Sequence, residues 1–105
     1  MSWLILVLAG IAEAVWALAL RRSEGLTRLA PSVVFVVALL LSMAGLAYAM
    51  RSLPTGTAYA VWVGIGASLT VGYGMITGAE TASLWRVLFL AMIIGGVIGL
   101  KAVES

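Results

Sequence analysis

WLILVLAGIAEAVWALAL, Trp3 to Leu20, is an apolar run interrupted by one charge, Glu13. Its length is close to the ~20 residues that carry a helix across a ~30 Å hydrocarbon core. It lacks a basic leading segment and exceeds the usual apolar stretch of a signal peptide, so it reads as a retained span. Three further runs of the same kind follow: Ser32–Met50, Thr57–Thr77 and Leu84–Leu100. The expected fold is therefore an all-α membrane protein. It forms a single domain, residues 1–105, with four transmembrane helices over about 3–20, 32–50, 57–77 and 84–100. The fourth run is slightly short and is expected either to tilt little or to draw in Lys101 by snorkelling.

The connections Arg21–Pro31, Arg51–Gly56 and Gly78–Ser83 are too short for anything but antiparallel neighbours. The helices then run up-down-up-down, with both termini on one side. Pro31 and Pro54 stand at segment boundaries, where proline opens or stops a helix.

Composition agrees. Hydrophobic residues make up 64% of the chain and charged residues 10%, against ~25% charged in soluble domains. The net charge of +2 is scattered over juxtamembrane positions and suggests no nucleic-acid partner. Arg21, Arg22, Arg28 and Arg86 fall on one side, against Arg51, Lys101 and the Met1 amine on the other. That positive-inside bias is shallow, and insertion in both orientations is open to such a chain.

Neither cysteine nor histidine occurs. Disulfides and thiolate metal sites are excluded, and any proton handling falls to a carboxyl group. No phosphate-cradling loop is present, and a lone buried carboxylate makes a poor hydrolase. We expect no enzyme, no cofactor and no resident metal.

Glu13 is the only ionisable side chain placed deep in a span. A charge there costs several kcal/mol, and intramembrane ionisable groups are ion or proton sites by default. The plainer alternative is a protonated carboxyl that hydrogen-bonds a neighbouring helix. No Lys or Arg shares its depth, so the partner of a charged Glu13 is a proton, a bound cation, or each in turn. Ala9, Gly10, Ala12, Ala14 and Ala17 surround it with small side chains, which suit a cavity and tight packing equally.

Trp16, three residues on, shares a helix face with Glu13. Its indole can donate to a carboxylate or face a cation, or simply fill core. Ser42 lies midway along the second run, where a serine ordinarily bonds back to its own helix. Tyr59 and Trp62 repeat the spacing of three in the first turns of the third run, as site residues or interfacial anchors. Gly64 and Gly66 allow either a hinge or close packing. Gly95 and Gly99 form a small-x-x-x-small pattern in an otherwise aliphatic run, a candidate dimer face.

These residues carry a resemblance. Ala9-Gly10-Ile11-Ala12-Glu13-Ala14-Val15-Trp16-Ala17, Glu24-Gly25-Leu26-Thr27-Arg28-Leu29-Ala30-Pro31-Ser32, Leu53-Pro54-Thr55-Gly56-Thr57-Ala58-Tyr59-Ala60-Val61-Trp62 and Gly64-Ile65-Gly66 resemble the small multidrug resistance family of four-helix transporters. The resemblance covers essentially the whole chain. Trp16, and the ending Gly99-Leu100-Lys101-Ala102, resemble the guanidinium-exporter subtype within it. The chain departs from the family pattern at Val63, where a small or hydroxylated residue is usual, and over residues 73–80, which are less bulky.

The resemblance implies an antiparallel, dual-topology homodimer in the bacterial inner membrane, with lipid around it and both copies of Glu13 facing one pocket. It implies proton-coupled export of guanidinium-type small cations. Glu13 would bind substrate or protons, Trp16 and Ser42 would donate hydrogen bonds to the carboxylates, and Tyr59 and Trp62 would line the pocket. Gly64 and Gly66 would permit a kink. The competing expectations are export of bulky quaternary ammonium ions, a non-transporting membrane assembly subunit, and a heterodimer with a related chain.

Overall fold

A computed structural model describes residues 2–78 and 80–104. The Met1 amine and Ala79, which entered the readings above, lie outside the described residues. The described residues form four helices: α1 Ser2–Arg22, α2 Leu29–Ala49, α3 Thr55–Thr77 and α4 Leu84–Glu104. All four are long and apolar enough to cross a membrane.

The helix ends follow from local chemistry. Pro54, with φ −56°, stands immediately before α3, and its carbonyl accepts from Ala58 N at 2.9 Å. Gly78 closes α3 in the left-handed conformation at φ 80°, which favours glycine. Ser83 Oγ accepts from Arg86 N at 3.2 Å and caps the start of α4.

Two boundaries differ from expectation. α2 begins at Leu29, ahead of Pro31, because a first-turn residue has no intrahelical N–H partner to lose. α4 runs past Leu100 to Glu104 because Lys101-Ala102-Val103 contains no breaker. The Lys101 ammonium lies 5.4 Å from the centroid of the Trp3 ring, pinning the end of α4 beside the start of α1.

The helices lie in the spatial order α2, α1, α3, α4. α1 packs most extensively on α2 and then on α3, while α4 packs mainly on α3 and meets α1 at the Lys101–Trp3 contact. The result is a slab, 42 × 34 × 17 Å, and its thin dimension is about one and a half helix diameters. Leu6, Ala9, Leu46, Ala49, Ala58, Val61 and Trp62 form the buried cluster where α1, α2 and α3 meet.

Small residues bring the helices together. A Cβ on Gly45 would come within 2.8 Å of the Ala9 methyl, and one on Gly10 within 2.7 Å of Ile65 Cγ2. Among the described side chains α4 contributes none that is buried, and large apolar side chains such as Leu84, Met92 and Ile98 stand exposed along it. Such surfaces face lipid or another protein.

Candidate functional site

Glu13 projects from the middle of α1 onto α3, and Gly66 is where it lands. A Cβ at Gly66 would overlap the Glu13 carboxyl, so the carboxyl lies directly on the α3 backbone. Glu13, Trp16 and Ala17 of α1 and Val63, Gly66, Ala67, Thr70 and Val71 of α3 line a cavity of ≈ 330 Å³. No basic side chain is among them. Glu13 Oε1 and Trp16 Nε1 are both buried without a hydrogen-bond partner among the described residues. An unmet acceptor and an unmet donor thus share one small cavity, and buried polar atoms are rarely left that way.

The Trp16 ring is held from the other side. It meets Phe35 of α2 edge-on, with centroids 5.9 Å apart and planes at 73°. Thr70 Oγ1 donates back to the Gly66 carbonyl at 2.7 Å, so its hydroxyl is already used within α3.

Ser42 and Trp62 make a separate, complete pair. Trp62 Nε1 donates to Ser42 Oγ at 2.8 Å, and Ser42 Oγ donates to the Ala9 carbonyl at 2.7 Å. Ser42 is fully buried and Trp62 nearly so. This relay ties α3 to α2 to α1 at Ala9, one turn before Glu13. Its hydroxyl proton goes to the backbone of α1 here, not to a carboxylate. Trp62 accordingly sits in the core, whereas Tyr59, 5.9 Å away between ring centroids, is more than half exposed.

The glycines separate by role. α3 is one continuous helix through Gly64 and Gly66. Gly66 seats Glu13, and Gly64 seats α4: a Cβ there would come within 2.7 Å of Val97 Cγ2. Gly95 and Gly99 meet nothing within 4 Å, so they lie on a face of α4 turned away from the rest of the chain.

The structure therefore brings Glu13, Trp16 and Gly66 together, joins Ser42 to Trp62 one turn away, and leaves Tyr59 at the edge. Four residues that the sequence reading does not single out stand at the site: Ala67, Thr70 and Val71 line the cavity, and Phe35 backs Trp16. Thr70 follows Tyr59, Val63 and Gly66 on one α3 face, a stripe the sequence does carry. Phe35 touches Trp16 across helices, and no local pattern marks it. No cluster of metal-ligating side chains occurs among the described residues.

A family model described as "Small Multidrug Resistance protein" matches residues 1–93. A guanidinium exporter of Proteus vulgaris is 52% identical over 101 residues, covering 96% of this chain and 97% of the relative. Guanidinium exporters of Yersinia pseudotuberculosis and Escherichia coli K12 are each 54% identical over 101 residues, covering 96% of this chain and 97% and 96% of the relatives.

Proposed function

The chain belongs to the small multidrug resistance family, and we propose that within this family of transporters it is a proton-coupled exporter of guanidinium and small guanidinyl compounds. Four spans and the family make it a multi-pass protein of the bacterial inner membrane. The observation that carries the proposal is the Glu13 carboxyl, with an unpartnered buried oxygen, in a cavity without any basic side chain. The names of the relatives supply the cation.

Guanidinium is planar and offers six N–H donors. One carboxylate accepts a forked pair of them, and a second carboxylate accepts another pair. A permanently charged cation held away from water needs that pairing, because leaving it unpaired is prohibitive. A homodimer of opposed copies supplies the second Glu13. The slab shape and the outward face of α4 at Gly95 and Gly99 support self-association.

Trp16 narrows the cavity beside the carboxyl and offers an indole N–H to it. Ser42 and Trp62 hold α1 at Ala9, and Tyr59 lines the mouth of the pocket formed with the second copy. Two nearby carboxyls titrate as a unit. Protons and substrate compete for them, and a dimer that changes sides only when loaded converts that competition into antiport.

The test is proton-driven guanidinium uptake into liposomes, wild type against Glu13→Gln, with apparent affinity measured across pH. We expect background uptake for Glu13→Gln. For wild type, affinity weakens as pH falls, by up to about tenfold per unit for one competing proton. Wild-type uptake by Glu13→Gln refutes the proposal, and a pH-independent affinity removes its proton half. A tetraalkylammonium run beside guanidinium ranks the bulky-cation alternative.

A further inference from the structure

At the end of the molecule that holds the α1–α2 connection, a second and larger cavity of ≈ 630 Å³ opens between the last turns of α1 and the first turns of α2. It does not include Glu13. Its inner wall is aliphatic, with Val15 and Leu18 from α1 and Val34 from α2, and its rim carries Arg22 and Arg28, with Tyr73 of α3 beside them. Val15 and Val34 are both well exposed, so the wall opens on the outside of the chain.

The two guanidinium groups are not neutralised. Arg22 Nη2 donates to the Tyr73 hydroxyl at 2.9 Å, which fixes its direction and leaves its charge intact. Among the described residues the ion pair at this end is Arg86 with Glu80, at 2.8 Å, and neither Arg22 nor Arg28 takes part in one. Arg21 and Arg22 also line the neighbouring groove beside Glu80. This end thus presents Arg21, Arg22, Arg28 and Arg86 against Glu24 and Glu80, a net charge of +2. A cationic substrate is repelled there, and an anion is drawn in.

We propose that this cavity is a binding site for an anionic phospholipid. Its phosphate is clamped by Arg22 and Arg28, and the first methylenes of an acyl chain lie along Val15, Leu18 and Val34. Arginine forks match phosphate oxygens in pairs, which a zwitterionic headgroup offers with its own cation attached. A free phosphate satisfies the rim and leaves the aliphatic wall uncovered, so the combination selects a lipid. The site lies where a headgroup sits, at the end of two spans, and it engages the chain independently of the Glu13 cavity.

The full-length protein in mild detergent, mixed with equal amounts of phosphatidylglycerol and phosphatidylcholine, tests this by native mass spectrometry. We expect phosphatidylglycerol to be retained preferentially. Arg22→Gln and Arg28→Gln should each weaken retention about fivefold, and the double variant about 25-fold. Arg51→Gln, at the opposite end, should change nothing. Helix content and dimer mass confirm folding; Arg28, whose side chain forms no interaction among the described residues, supplies the variant safest to fold. Equal retention of both lipids overturns the proposal, as does unchanged retention by Arg28→Gln or an equal loss in Arg51→Gln. Displacement of the lipid by inorganic phosphate at the same concentration also overturns it, by assigning the site to small anions.

Discussion

Replacing Gly66 with alanine separates the binding function of the Glu13 site from the stability of the fold. A Cβ on Gly66 overlaps the Glu13 carboxyl and lies 2.8 Å from its Cγ. The obstruction is the far end of a flexible side chain, so the glutamate swings aside and the helices stay where they are. Alanine gains up to about 1 kcal/mol over glycine in a helix interior, and an off-rotamer glutamate costs about 0.5–1.5 kcal/mol. These offset, leaving stability within about 1 kcal/mol of wild type.

Binding has no such compensation. Each hydrogen bond to a charged group contributes about 1.5–3 kcal/mol, and a displaced carboxyl loses at least one of its forked pair. At 1.4 kcal/mol per tenfold, guanidinium affinity falls about 10- to 100-fold. The assay is guanidinium titration of the purified protein by calorimetry, alongside denaturant-dependent loss of helix. Gly72→Ala is the control, since a Cβ there meets nothing within 4 Å and adds helix propensity alone. Wild-type affinity in Gly66→Ala refutes the placement of the carboxyl on Gly66, and an equal loss in Gly72→Ala refutes the steric cause.

Other outcomes follow from the helix contacts. Ser42→Ala strands the Trp62 indole N–H and frees the Ala9 carbonyl, both inside the α1–α2–α3 junction. We expect a loss of about 1–3 kcal/mol in denaturant unfolding from micelles, and no change in midpoint would show that the relay does not hold the helices. Gly95→Leu adds bulk where no neighbour lies within 4 Å in the chain itself. Helix content should stay constant while the dimer dissociates at lower dilution than wild type; unchanged dimerisation would move the dimer face off Gly95.

Much of this was readable from the chain. Four apolar runs, Pro54 before α3 and Glu13 stranded in α1 are local signals, each decided within one helix or turn. The start of α2 was misjudged because Pro31 marks a boundary only loosely when it falls in the first turn. Ser42 was visible as a polar residue in a span. Its partners were not, because Ala9 and Trp62 lie 33 and 20 residues away in sequence. Gly64 and Gly66 read alike as possible hinges. In the structure, one seats Val97 of α4 and the other seats the Glu13 carboxyl, a difference set by which way each faces on an unbroken helix.

The amino-acid sequence by itself determined that this protein has four runs long and apolar enough to span a membrane and carries one carboxyl in the middle of the first. Those are consequences of hydropathy, which accumulates residue by residue and needs no knowledge of neighbours. Only the tertiary structure decided that α1 lies between α2 and α3, that Glu13 rests on Gly66 beside Trp16, and that Ser42 serves the α1 backbone. Within lipid, apolar side chains gain little by leaving one another or the bilayer, so helix neighbours are chosen by close approach at small residues and by the few polar atoms that need partners. Those choices depend on rotation and depth of each helix against the next, and they appear only once the helices are packed.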